Sequence, residues 1–150
     1  MKTMLYIALL IGITTSNFTF LGMQDTPGNI TIELNCLAGA PFTITKAKPD
    51  PQIVTRGGRL TFKAVGSFNE KTNVQQLKVY TKINGVDAQT VFKNLPNAGL
   101  VEKDKSFVFS YEDSAPAFAP DGKYEVYMYL IDDKQKPVSC LKGTFTLDPQ

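Results

Sequence analysis

The chain has 150 residues, 43% of them hydrophobic, and 16 Lys and Arg against 14 Asp and Glu for a formal net charge of +2. It contains no His, which excludes a Ser-His-Asp or Cys-His catalytic pair and a histidine-ligated metal. Its basic residues are scattered rather than clustered, which argues against a nucleic-acid footprint and against strong anchoring to an anionic membrane.

The chain opens with a basic start, Met1-Lys2-Thr3, followed by the apolar run Met4 to Ile13 and the small residues Thr14-Thr15-Ser16. The run is shorter than the roughly 18–20 apolar residues of a membrane span, so it reads as a signal peptide over 1–16 rather than a retained transmembrane helix. Cleavage is expected between 16 and 22, leaving one domain over 23–150 that is long enough for one substantial core. Two sequons follow, Asn17-Phe18-Thr19 and Asn29-Ile30-Thr31. Asn29 is the expected glycan site, because Asn17 would sit at the new N-terminus. The two cysteines of a secreted chain pair most simply as one disulfide, Cys36–Cys140, and two free thiols are the alternative.

Beyond the leader, short period-two runs are punctuated by Gly, Pro, Asn and Asp, the pattern of an all-β chain. Ile30, Ile32 and Leu34 alternate with polar residues, as do Phe42 and Ile44, and then Leu60, Phe62 and Ala64. Lys48-Pro49-Asp50-Pro51 cannot continue a central strand, since Pro donates no ladder hydrogen bond. Leu77, Val79 and Ile83 share one strand face, and Lys78, Tyr80 and Lys82 the other. Asn84-Gly85 then makes a hairpin turn into a strand over Ala88 to Leu95.

Ser106 to Tyr111 is an aromatic strand, and Glu112 to Gly122 a loop holding Phe118 between Pro116 and Pro120. Phe118 either folds back into the core or lines the mouth of a pocket. Lys123 to Ile131 and Val138 to Leu147 close the series as a hairpin through Asp132 to Gln135. About eight strands and no long helix predict an immunoglobulin-like two-sheet β-sandwich in preference to a small barrel.

Catalysis is not expected. The only acid pairs, Glu112-Asp113 and Asp132-Asp133, are adjacent in sequence, and consecutive strand residues point to opposite faces. No metal and no cofactor is called for.

Three stretches, FTITKAKPDPQIVTRGGRLTFKAVGSF, EKDKSFVFSY and APDGKYEVYMYLIDDKQKPVSCLKGTFTL, together with Cys36, span nearly all of the domain. In this order and spacing the chain resembles the ML (lipid-recognition) family of secreted β-sandwiches. That family includes sterol carriers of the soluble Niemann–Pick type C kind, phosphatidylglycerol/phosphatidylinositol transfer proteins and lipid-sensing co-receptors. The stretch running from Gly-Lys-Tyr through Asp-Asp to Cys140 is most similar to the phospholipid-transfer branch. The chain lacks the further internal disulfides that many members carry.

The resemblance implies an apolar cavity between the sheets, filled by a phospholipid or sterol ligand and needing no covalent chemistry. Its expected lining is Phe62, Ala64, Leu77, Val79, Ile83, Phe107, Phe109, Val126, Met128 and Leu130, with Phe92, Pro116 and Phe118 at the entrance. Lys103, Lys105 and Lys123 either contact an anionic headgroup or are simply solvated. The implied protein is a monomeric carrier, secreted or in an endosomal or lysosomal lumen, that touches membranes transiently and moves lipid between them. A lipid-presenting module for a receptor or hydrolase, and an adhesive sandwich with no cavity, are the competing readings.

Overall fold

The computed structural model describes residues 28–149; the expected leader, its cleavage region and the Asn17 sequon lie outside these described residues. Eight strands follow one another: β1 (Thr31–Leu34), β2 (Phe42–Asp50), β3 (Arg59–Phe68), β4 (Thr72–Ile83), β5 (Val86–Val101), β6 (Ser106–Ser114), β7 (Gly122–Asp132) and β8 (Leu141–Leu147). They form two antiparallel sheets, one in the order β1-β8-β7-β4-β5 and the other β2-β3-β6. The fold is a β-sandwich, as the strand spacing predicts.

Alternation builds the interior. On β7, Tyr124, Val126, Met128 and Leu130 are buried while Glu125, Tyr127 and Tyr129 are half-buried on the other side. On β3 and β6, Phe62, Ala64, Phe68, Phe107, Phe109 and Tyr111 face inward. Each large side chain so buried contributes about 1.5–3 kcal/mol, which is why the period-two pattern fixes the register. The Asn84-Gly85 hairpin forms as expected, with φ of 53° and 79°.

Three boundaries depart from the sequence reading. β5 runs from Val86 to Val101 rather than stopping at Leu95. It is an edge strand with hydrogen bonds on one side only, so it tolerates Pro96, although its pairing with β4 breaks there and steps from Gln76–Asn94 to Val74–Gly99. For the same reason β2 continues through Pro49 to Asp50, at the edge of its own sheet. Val138 to Cys140 lie outside β8, because the Leu130 N–H donates to the Ser139 hydroxyl (2.9 Å) instead of to a ladder carbonyl.

One end of the interior is filled by aromatic bulk. Phe42 packs on Phe68 with ring centroids 4.6 Å apart, and on Phe107 edge-on at 6.1 Å. Gly66 makes room for this cluster, since a β-carbon there would collide with the Phe42 ring and the Thr43 carbonyl. Cys36 and Cys140 are disulfide-bonded, with Cα atoms 4.9 Å apart. The bridge follows the Leu34–Leu141 pair, so it joins neighbouring strands of one sheet rather than crossing the core.

Candidate functional site

At the end of the sandwich opposite the Phe42–Phe68 cluster, the sheets enclose a partly open cleft of about 270 Å³. Its apolar wall comes from Val54, Leu60 and Phe62 on one side and Tyr124, Val126, Phe145 and Leu147 on the other. Polar groups are confined to Thr81, Gln89, Asp113 and Ser114, and Tyr111 completes the lining with Ala115, Pro116 and Ala119. The arrangement is amphipathic: a greasy slot with a few hydrogen-bonding groups.

Two tyrosines stiffen the walls. Tyr124 stacks on Phe145 with centroids 5.0 Å apart and planes within 4°, and its hydroxyl donates to the Pro120 carbonyl (2.6 Å). The Tyr111 hydroxyl donates to Asp113. Burial pushes both phenols above their ordinary pKa, and for Tyr111 the bond to Asp113 adds to the effect.

The loop after β6 is pinned at its base. Gly57 N donates to Ala115 O (2.7 Å) and Ala115 N to Gly58 O (3.0 Å). Arg56, whose side chain is only 15% exposed, pairs with Asp121 (2.6 Å) and donates from Nε to Ala119 O (2.9 Å). From this fixed base Phe118 projects into solvent, 86% exposed. It does not fold back into the core, because Pro116 and Ala119, not Phe118, supply the inward-facing surface of the loop.

The expected lining residues divide. Phe62 and Val126 line the cleft, and so does Pro116. Ala64, Leu77, Val79, Phe107, Phe109, Met128 and Leu130 are buried in the same interior, in contiguous core rather than on the cleft wall. Ile83 is half-buried against that core. Phe92 lies on the outer face of the five-stranded sheet, opposite Lys78 in register, and lines a different groove. Lys103 and Lys105 lie just before β6, roughly 25 Å from the cleft at 3.3 Å per residue of strand. Lys123 stands at the start of β7, near the cleft, 3.7 Å from Glu125. Asn29 forms an isolated bridge with Ile53, and its side-chain oxygen accepts from Gln52 (3.2 Å).

Sequence reasoning missed Tyr111, Tyr124, Phe145 and Leu147, all in step with inward-facing neighbours on their own strands. It also missed Lys93, whose ammonium lies 5.7 Å from the Tyr111 ring centroid. Parity with the buried Leu95 would have turned Lys93 inward. That contact, and the bond from Asn97 Nδ2 to Val108 O (2.8 Å), bridge the seam between β5 and β6, where the two sheets meet at their edges. Among the described residues no cluster of Cys, Asp and Glu could hold a metal, and no helix is long and apolar enough to cross a membrane.

A family model described as the ML domain matches residues 31–147. Among solved structures, a Niemann-Pick type C2 protein from the Japanese carpenter ant superposes with a TM-score of 0.59 at 10% identity, covering 76% of this chain and 97% of that one. Chicken MD-1, in a structure of its complex with lipid IVa, superposes with a TM-score of 0.52 at 16% identity, covering 82% and 94%. At these identities the likeness is one of fold. No curated protein matches the sequence.

Proposed function

Since the chain belongs to the ML-domain family, with that family's lipid-binding fold, we propose that it is a non-catalytic carrier that takes up one phospholipid or sterol and releases it at another membrane. The observation that supports this most is the amphipathic cleft between the sheets, set beside a pinned loop with an exposed phenylalanine. The tail lies against Phe62, Val126, Phe145 and Leu147, and the headgroup stays at Gln89, Asp113 and Ser114 near water. Lys93, beside the cleft residue Tyr111, is the cation offered to an anionic headgroup such as that of phosphatidylglycerol or phosphatidylinositol.

The cleft is slightly smaller than the roughly 300–1,000 Å³ usual for ligand pockets, so a full tail requires the sheets to part. The β5–β6 seam is where they do so. Each methylene then removed from water contributes about 0.8 kcal/mol, so a long tail gains ample free energy to offset the loss of a few seam contacts. Phe118 touches the bilayer during exchange. The protein works as a monomer in an extracellular or lumenal compartment, with Asn29 as its glycan site.

Native mass spectrometry with lipid extraction on protein secreted from a eukaryotic host tests this reading. The expected result is a phospholipid or sterol at about one per chain. Protein that emerges empty and takes up neither labelled phospholipid nor labelled sterol would overturn it.

A further inference from the structure

The five-stranded sheet carries a second concavity on its outer face, turned away from the lipid cleft. It encloses about 570 Å³ and is walled by Tyr80, Tyr129 and Phe92, with Lys78, Asp87 and Gln135 among its polar groups. Register explains the wall: Tyr129, Lys78 and Phe92 stand in one cross-strand row over β7, β4 and β5. In the next row Tyr127 pairs with Tyr80. The Tyr127 and Tyr129 rings are parallel within 7°, and Tyr80 tilts from Tyr127 by 32°. Phe92 is 52% exposed at the rim. A sheet face that covered nothing would gain little from three tyrosines and a phenylalanine gathered together, since exposed apolar surface is costly unless it is used.

The chemistry of the polar groups narrows the occupant. Lys78 and Asp87 cancel in charge, which favours a neutral ligand. The Tyr80 hydroxyl already donates to Asp87, and that bond is the main cause that holds the phenol protonated up to about pH 12. The groove therefore offers a carboxylate acceptor beside the exposed Phe92 ring and the Tyr80 ring, with the Gln135 amide and the Lys78 ammonium, which lies 5.9 Å from the Tyr129 ring centroid, as donors. A proline-rich peptide, the usual guest of an aromatic groove, presents carbonyl acceptors and few donors, so it would add nothing to the bond that Asp87 already accepts from Tyr80. A pyranose ring offers what the groove lacks: one face of C–H groups to stack on an aromatic ring and an edge of hydroxyls that donate to a carboxylate.

We propose that this outer groove is a binding site for neutral saccharides, separate from the lipid cleft and independent of the lipid-carrier reading. The test is an NMR titration of isotopically labelled, full-length secreted protein with maltohexaose, cellohexaose and hexa-N-acetylchitohexaose, and in parallel with decaproline. Shifts confined to Lys78, Tyr80, Asp87, Phe92 and Tyr129 are expected with at least one sugar, at affinities near the millimolar range typical of shallow sites. Phe92→Ala, at an exposed position that leaves the fold intact, should weaken that binding about two- to tenfold. The same variant should leave lipid uptake unchanged. No shift on this face with any of the three sugars at about 10 mM, or shifts there with decaproline alone, would overturn the proposal.

Discussion

The Asn35 side chain holds the backbone of Ile44 from both sides: its Nδ2 donates to Ile44 O (3.0 Å) and its Oδ1 accepts from Ile44 N (2.8 Å). Asn35 follows β1 in one sheet with φ of 57°, and Ile44 lies in β2 of the other, at an irregularity in the β2–β3 register. The pair therefore ties the two sheets together on the side opposite the β5–β6 seam. Replacing Asn35 by Ala removes both bonds and leaves a backbone amide unmatched beside the core. The expected loss is about 1–3 kcal/mol of stability, read as a lower urea midpoint with an unchanged slope.

Cys36 and Cys140 are 104 residues apart, so their bond restricts the unfolded chain strongly. The Cys36→Ser/Cys140→Ser double variant should lose about 2–5 kcal/mol. Chemical denaturation under non-reducing conditions measures it, and a midpoint equal to that of the parent would contradict the entropic argument.

Phe118→Asp should slow lipid exchange between vesicles several-fold while leaving the melting temperature unchanged. The side chain contributes nothing to the core at 86% exposure, and a charge there opposes contact with the acyl region. Exchange rates equal to those of the parent would rule out this loop as the membrane-facing element.

Ala115→Phe places a ring on the cleft wall, next to Leu60 and Tyr111. Uptake of labelled phospholipid should fall at least tenfold, with stability changed by no more than about 1–3 kcal/mol from crowding. Undiminished uptake would move the lipid site elsewhere in the interior.

Alkali should unfold the protein earlier than it would a sandwich with exposed tyrosines. Tyr111 and Tyr124 are held protonated by burial, and Tyr111 also by its bond to Asp113, so each titrates at higher pH folded than unfolded. Above about pH 10 the unfolded chain has released these protons and the folded one has not. Their contribution is thus complete below pH 10 and is lost as pH rises through the folded values. Tyr111→Phe should flatten that decline in a pH series of urea midpoints.

The interior strands were legible because both of their edges are paired and one face is dry, which imposes alternation along most of β3, β4 and β7, broken in β4 between Val74 and Gln76. The edge strands were not. β5 carries Pro96 and Gly99, which read as the end of a strand; they do break the pairing with β4 between Asn94 and Gly99, but the strand resumes beyond them. The cleft was only half legible for a different reason. Periodicity tells which face of a strand points inward, so Phe62 and Phe107 look alike. It does not tell where along the strand the sheets are held apart. Phe42 and Phe68 fill the space around Phe107, while Phe62 reaches toward the open end, and that difference arises from pairings between distant segments. Phe118 illustrates the converse: two prolines place it in a loop, and only its exposure in the folded chain shows that it points to solvent.

The position of the disulfide has a consequence for limited proteolysis. β2 through β7 all lie inside the covalent ring closed by Cys36 and Cys140, and only β1 and β8, which pair with each other, lie outside it. A cut at the Phe118 loop or at the Asn84-Gly85 turn would open that ring without dividing the molecule. The nicked protein would migrate as one species on a non-reducing gel and fall into two pieces once thiol is added. A surface loop can thus be severed and its two halves still be carried as a single particle.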